Sequence, residues 1–372
     1  MARIGIDCRL GGRDHAGIGR YIQQLVRELL EFDQPHELVL FFTSAEQSRQ
    51  VLGQERPRLG RHRLVIAPIA HYTLSEQIKL PILLSKAQLD LLHVPHFNVP
   101  LAYRGRTVVT IHDLLWHHQR GRQVTTLSSG WYWTKYMGYR LVASQSVNRA
   151  AAVLVPSQAT QRAVNHYYPD QQHIAVIPEG VDQVFFSGHR QPQAAASRQL
   201  LYVGSLYPHK NIEAVLQALV KLPGFKLQIV TARDAFLAQS RLRIARLGLE
   251  RRVSVHHRLS DAQLVNLLDQ AQALLQPSLS EGFGLTGLEA MAAGTPVLAS
   301  DIPVFREVYG RAATYFDPND YRSLVTAVQQ LSADRQVKLA RRGRAHARNF
   351  RWETMARRTL KVYEDVISRS GD

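Results

Sequence analysis

Cysteine is nearly missing from this 372-residue sequence. Cys8 stands alone, which excludes an internal disulfide and a cysteine metal cluster. Long apolar runs are missing too. The longest, such as LDLLHV from Leu89, are strand-length and broken by polar residues, far short of the roughly 20 apolar residues that span a bilayer. The opening MARIGIDCRL passes straight into a strand pattern without the apolar stretch of a secretory signal, so a cytoplasmic protein is expected. There is no low-complexity segment and no short internal repeat. Acidic residues are scarce relative to basic ones: 30 Asp and Glu face 46 Lys and Arg, a formal net charge of +16. Such an excess suits nucleic acid, an anionic membrane surface, an acidic substrate, or simply a solvated basic surface. The charge gathers near the C-terminus, in RRGRAHARNFRWETMARRTLK from Arg341, and around Arg120, Arg122, Lys135, Arg140 and Arg149. No nucleic-acid motif accompanies it, so no specific nucleic-acid partner is expected.

What is present reads as a soluble α/β protein. Hydrophobic residues make up 45% and charged residues 20%, and the length favours two domains. Short apolar runs begin at Arg3, Leu38, Leu64, Leu89, Val108, Ala152 and Ile174, separated by helical patterns such as Ile18, Tyr21, Ile22, Leu25, Val26 and Leu29. Between Phe185 and Gln199 the pattern lapses into a polar linker, and the alternation restarts at Leu200, Lys226, Val253, Ala273, Pro296 and Ala313. Continuous apolar strands of this kind imply parallel sheets covered on both faces. Ser260 with Gln263 forms a capping-box pattern, and two long helices are expected near the C-terminus. The expected division is 1–188, 189–350 and a terminal helix over 351–372.

The most informative segment is PSLSEGFGLTGLEAMAAGTPVLAS, from Pro277. A strand ends near Gln276, a turn with Gly282 and Gly284 follows, and a helix starts near Leu285. Glycines admit a ligand close to the backbone, and a helix N-terminus offers unpaired N–H groups to an anion such as a diphosphate. Glu281 and Glu289 place two carboxylates beside that turn, able to accept hydrogen bonds from sugar and ribose hydroxyls without a metal. Read singly, each residue could equally serve a turn or a helix face.

This segment resembles the signature of the retaining glycosyltransferase family 4, the group 1 glycosyltransferases with mannosyltransferase-like bacterial members, in which two glutamates flank a G-F-G turn. LLYVGSLYPHKN from Leu200 resembles the family's second donor motif, and weaker likenesses at GIGRY and IHD extend over essentially the whole chain. The resemblance implies the GT-B fold: two Rossmann-like doubly wound domains facing across a cleft, the last helix crossing back to the first. It implies that Lys210 pairs with the donor diphosphate, Glu289 holds the ribose, and Glu281 contacts the transferred sugar. Backbone at Gly282, Phe283, Gly284, Leu285 and Thr286 would reach sugar and phosphates, and Arg258 and Leu259 would meet the base. Ser205 stands where many relatives carry arginine, and His209 or Arg258 could compensate.

In the first half, GGRDHAGIGRY from Gly11 lacks G-x-G-x-x-G, because Gly17 and Gly19 are followed by Tyr21 and Ile22, which disfavours a dehydrogenase. The resemblance brings Gly17 and Gly19 to the donor phosphates. His112 ends the strand VVTI, where open sheets keep their sites, and by resemblance touches the donor sugar near the reacting carbon. The chain has no Asp-x-Asp motif, so no cofactor and no metal are expected. The implied partners are a nucleotide-sugar donor of mannose or glucose type and a glycan or lipid-linked acceptor, as in polysaccharide, O-antigen or glycolipid synthesis. Trp131, Trp133, Tyr136 and Tyr139 lie among Lys135 and Arg140, a mixture that suits either a membrane interface or helix packing, so an anionic inner-membrane surface is a further candidate partner. A nucleotide-sugar epimerase of the same architecture and a basic nucleic-acid-binding protein are the rival readings.

Overall fold

The computed structural model describes residues 1–12, 15–53, 59–118, 129–188 and 197–369. Arg13 and Asp14 of the glycine-rich segment, Arg120 and Arg122 of the basic region, and 189–196 of the expected linker lie outside the described residues. The chain forms two compact units, one of Met1–Leu114, Gly130–Glu179 and Trp352–Asp372, the other of Leu115–Ser129 and Gly180–Arg351.

In the first unit β1 (Arg3–Asp7), β2 (Glu37–Phe42), β3 (Arg63–Ile66), β4 (Leu91–Val94), β5 (Thr107–Thr110), β6 (Ala152–Val155) and β7 (Ile174–Val176) make one sheet, ordered β3-β2-β1-β4-β5-β6-β7. In the second, β8 (Gln199–Val203), β9 (Lys226–Thr231), β10 (Val253–His257), β11 (Ala273–Gln276), β12 (Val297–Ser300) and β13 (Thr314–Phe316) are ordered β10-β9-β8-β11-β12-β13. Every pairing is parallel. Each apolar run read from the sequence becomes one strand. In β2, β4, β5, β6, β11 and β12 every residue is buried, which is why those runs do not alternate with polar residues. The order of elements reverses between β1 and β4 and again between β8 and β11, the two places where such sheets open a crevice.

Helix starts follow the expected chemistry. Ser44, Thr73, Ser157 and Ser332 each accept a bond from the backbone N–H three residues on, and Ser260 with Gln263 completes the capping box. The helix Trp352–Ser368 packs against Ala16–Glu31 in the first unit, burying Trp352, Met355, Tyr363 and Val366.

The chain passes into the second unit at Gly180, ahead of the 188/189 boundary expected from composition. Phe185 gives the physical reason: fully buried, it anchors the short helix Gln183–Phe186 against the helices Asp261–Gln270 and Leu285–Ala293. The Val181 N–H donates to the Phe350 carbonyl (3.1 Å), and the Arg344 guanidinium donates to the carbonyls of Phe186 and Gly188. Among the described residues no helix is long and apolar enough to cross a membrane.

Candidate active site

In the second unit, candidate residues collect after the carboxyl ends of β8, β10 and β11. After β8 the chain runs through Ser205 into a single 3-10 turn, Pro208–Lys210, and Asn211 then adopts a left-handed conformation (φ 55°) before the helix Ile212–Val220 begins. That kink directs Lys210 across to the next loop, where its ammonium lies 2.5 Å from Glu281 Oε1. The Ser278 hydroxyl donates to the same carboxylate oxygen (2.8 Å), and the Leu279 N–H donates to the His209 carbonyl (2.8 Å). The two donor motifs of the sequence are thus one structural piece. The pair is partly open, with side-chain exposures of 22% for Lys210 and 15% for Glu281.

The turn ends at Gly284, the N-cap of Leu285–Ala293, with φ 96°, a conformation L-residues rarely hold. Space argues the same way: a Cβ on Gly284 or on Gly287 would strike the ring and hydroxyl of Tyr309. Tyr309 is buried and donates to the Gly284 carbonyl (2.6 Å), fixing the turn from behind. Phe283 is buried edge-on against Phe350, so its side chain packs inward and its backbone is what the turn presents. Thr286 lies in the first turn of the helix. Glu289 is buried in company that is otherwise apolar or glycine, Gly287, Leu288, Ala290, Met291, Ala292 and Ala293.

Arg258 and Leu259 follow β10 at the far edge of the same sheet. Arg258 is left-handed (φ 54°), and its N–H donates to the Thr231 carbonyl (3.1 Å). The Ser205 carbonyl accepts from the Tyr202 hydroxyl (2.6 Å). Burial and then the nearby Glu281 push the Tyr202 phenol well up, so it stays a donor. His209 is buried, with its ring stacked on Tyr207 at 5.9 Å.

The first unit holds the remaining candidates. Gly17 and Gly19 lie in the first turn of the helix Ala16–Glu31, so the helix starts earlier than a loop reading of Gly11–Tyr21 suggests. Nothing lies near a Cβ built on Gly17, whereas one on Gly19 would collide with the Gly12 carbonyl. Only the second glycine is forced by packing. His112 follows β5 with both ring nitrogens facing acceptors, Nδ1 at 3.2 Å from Glu179 Oε1 and Nε2 at 3.2 Å from the Pro95 carbonyl. Tyr21 packs edge-on against it with ring centres 4.8 Å apart.

Three features of this unit had no sequence reading. Glu179, buried after β7, holds His112; the only local signal was a carboxylate just past the strand IAVIP. Arg9 is fully buried and pairs through its guanidinium with Asp7 (2.7 Å) and Glu76 (2.8 Å), while Asn98 donates to the second Glu76 oxygen (2.6 Å). Burial opposes charge on both acids, yet Arg9 at Asp7, and His71 together with Arg9 at Glu76, hold both below their ordinary values. His93 bridges Thr110 (2.8 Å) and Tyr363 (2.5 Å), and burial, with His112 close by, pushes its pKa down to about 3.

Residues 188–350 match the profile described as "Glycosyl transferases group 1", and residues 15–185 match "Glycosyltransferase Family 4". The O-antigen chain mannosyltransferase RfbU of Salmonella typhimurium is 29% identical over 268 residues, 72% of this chain and 71% of that protein. The MMP alpha-(1->4)-mannosyltransferase of Mycolicibacterium hassiacum is 30% identical over 298 residues, 75% of this chain and 68% of the relative. Among solved structures, Anabaena Alr3699/HepE in complex with UDP-glucose superposes with a TM-score of 0.76 at 16% identity, covering 98% of this chain and all of that one.

Proposed function

This chain belongs to the group 1, family 4 glycosyltransferases and has their GT-B fold, and on that premise we propose that it transfers a hexose, of mannose or glucose type, from a nucleotide-diphosphate sugar with retention of anomeric configuration. The relatives named for mannose transfer and the fold neighbour holding UDP-glucose support the donor class. The acceptor is a glycan or a lipid-linked glycan in polysaccharide, O-antigen or glycolipid synthesis, met at the cytoplasmic face of an anionic membrane.

The observation that carries the reading is the Lys210–Glu281 pair at 2.5 Å beside the helix start at Gly284. A cation and a helix start without a side-chain cap together suit a diphosphate, and a carboxylate beside them suits sugar hydroxyls. In this assignment Lys210 and the N–H groups from Gly282 to Thr286 stabilise the departing diphosphate, the task a metal ion performs elsewhere. Ser205 leaves that charge to Lys210 and the helix, with Arg258 and Leu259 toward the base. Glu289 holds the ribose, and Glu281 orients the sugar. In the first unit the proposal assigns His112, held by Glu179, to the transferred sugar and Gly17 and Gly19 to the phosphates.

The bond from the anomeric carbon to the diphosphate oxygen breaks as an acceptor hydroxyl oxygen bonds to that carbon on the same face. The acceptor's proton passes to the departing phosphate oxygen. Glu281 is an orienting group here and not a nucleophile. Nucleotide release and product formation should be measured across UDP, GDP and ADP sugars. Glu281→Ala and Lys210→Ala should each lower kcat/KM by roughly 10²–10³. Full transfer by either variant would remove that residue's role.

A further inference from the structure

A recess of about 780 Å³ opens on the second unit where β11, β12 and β13 end, on the opposite side of β8 from Arg258 and Leu259. Its walls include Leu279, Asp301, Ile302, Asp317, Asn319 and Ser323, and neither Lys210 nor any residue of the turn from Gly282 to Thr286 belongs to them. The volume is that of a small-molecule site. Leu279 sets its place: it is 41% exposed and stands two residues before Glu281, the carboxylate assigned to the transferred sugar.

The walls are fixed from within the unit. The Asp301 N–H donates to the Phe316 carbonyl (2.8 Å), and the Asp317 N–H donates to the Ser323 hydroxyl (2.9 Å). The Asn319 N–H donates to Asp317 Oδ1 (2.9 Å), and the side chain of Asn211, next to Lys210, donates to the Pro318 carbonyl (2.9 Å). The recess is thereby tied to the turn that aims Lys210. Ser300, the last residue of β12, pairs in register with Phe316, which also lines the recess. Its hydroxyl is fully buried and, among the described residues, has no hydrogen-bond partner. Such orphans are rare in folded proteins.

The lining is unsuited to anions. In a chain of net charge +16 it holds two carboxylates and no lysine or arginine. Arg306 takes both oxygens of Asp301 (2.6 Å each), which leaves the Asp317 carboxylate and the Asn319 amide to meet a ligand. One available carboxylate is too few for a metal ion, and no group of three side chains suited to one occurs among the described residues. A carboxylate and an amide instead suit neutral hydroxyls, while Leu279, Ile302 and Pro318 offer apolar surface to the C–H face of a sugar ring.

We propose that this recess is a glycan subsite: it holds a neutral sugar residue of the acceptor chain, so the acceptor is an oligosaccharide or longer and is recognised in part by the second unit. The acceptor half rests on the transferase reading above; the binding of a neutral glycan does not. Asp317 and Asn319 are the residues that set its specificity.

The test uses the full chain with neutral trisaccharides of mannose, glucose and galactose, and with trigalacturonate as an acidic counterpart. Binding is read by saturation-transfer NMR, and donor and acceptor KM are measured with the bound trisaccharide as acceptor. The wild-type chain should bind a neutral trisaccharide in preference to the acidic one. Asn319→Ala should weaken that binding about fivefold, and Asn319→Trp, which fills the recess, by more than about tenfold. Acceptor KM should rise in the same order, with melting temperature and donor KM unchanged. Lys210→Ala should lose transfer and keep trisaccharide binding. No neutral trisaccharide bound by the wild-type chain, undiminished binding by Asn319→Trp, or a preference for trigalacturonate would each overturn the proposal. Binding lost in Asn319→Trp without nucleotide-sugar turnover by the wild-type chain would leave the subsite standing and remove the transferase reading. Normal turnover with an unchanged acceptor KM in that variant would do the reverse.

Discussion

At the carboxyl ends of its strands the first unit buries charge. Arg9, Asp7 and Glu76 form an ion cluster with almost no exposure, His93 is kept neutral between two hydroxyls, and His112 is fixed by a buried glutamate. The second unit has the same strand order through its first six strands but handles that edge differently. Its ion pair is partly open, and its turn is shaped by left-handed Gly284 with a tyrosine behind it. One edge depends on partners brought from far along the chain. The other joins a pair just as far apart in sequence but leaves it partly open, and shapes its turn with closely spaced glycines.

The largest test of this contrast is Arg9→Met. Removing the guanidinium leaves two buried carboxylates without their cation, and breaking a buried pair in this way costs about 3–5 kcal/mol. Unit-resolved hydrogen exchange should show the first unit opening more easily while the second keeps its protection. Equal loss in both units would break the comparison.

Acid provides the next test. His93, Glu76 and Asp7 all bind protons less readily folded than unfolded, so their stabilisation is complete above 6.5, 4.5 and 3.8 respectively and is lost as pH falls below those values. In the second unit the lowered carboxylates, Glu213 and Asp301, belong to exposed pairs that solvent screens. On acidification the first unit should lose exchange protection at a higher pH than the second. The reverse order would contradict the assignment of buried charge.

The smallest test sharpens the local side. Ser260→Ala removes a complete capping box and should cost about 1 kcal/mol, read in the second unit alone by denaturant melting with unit-resolved exchange.

The same contrast explains what could be read in the sequence. The strands were legible because each is a local apolar run, and the Ser260 cap because its partner is three residues away. The glycine turn and its glutamates were legible for the same reason. Arg9–Glu76 and His112–Glu179 each span 67 residues, so no window of sequence holds both partners. Glu281 and Lys210 were found separately, and only the fold made them a pair across 71 residues. The exposed stripe Leu74, Ile78 and Ile82 has the spacing of a core face, and periodicity cannot say which side of a helix meets solvent. The passage into the second unit at Gly180 rests on burial of Phe185, which composition does not display.

Tyr309 has a consequence for how this enzyme can change by mutation. Its ring occupies the space a side chain at position 284 or 287 would need. Substitutions at the three positions are therefore epistatic. Gly287 has no backbone demand, so Gly287→Ala should fail alone yet be tolerated once Tyr309 is replaced by a smaller residue. Gly284 remains barred by its φ of 96° in either background. A library that varies the donor turn one position at a time would score both glycines as immutable, when only one of them is.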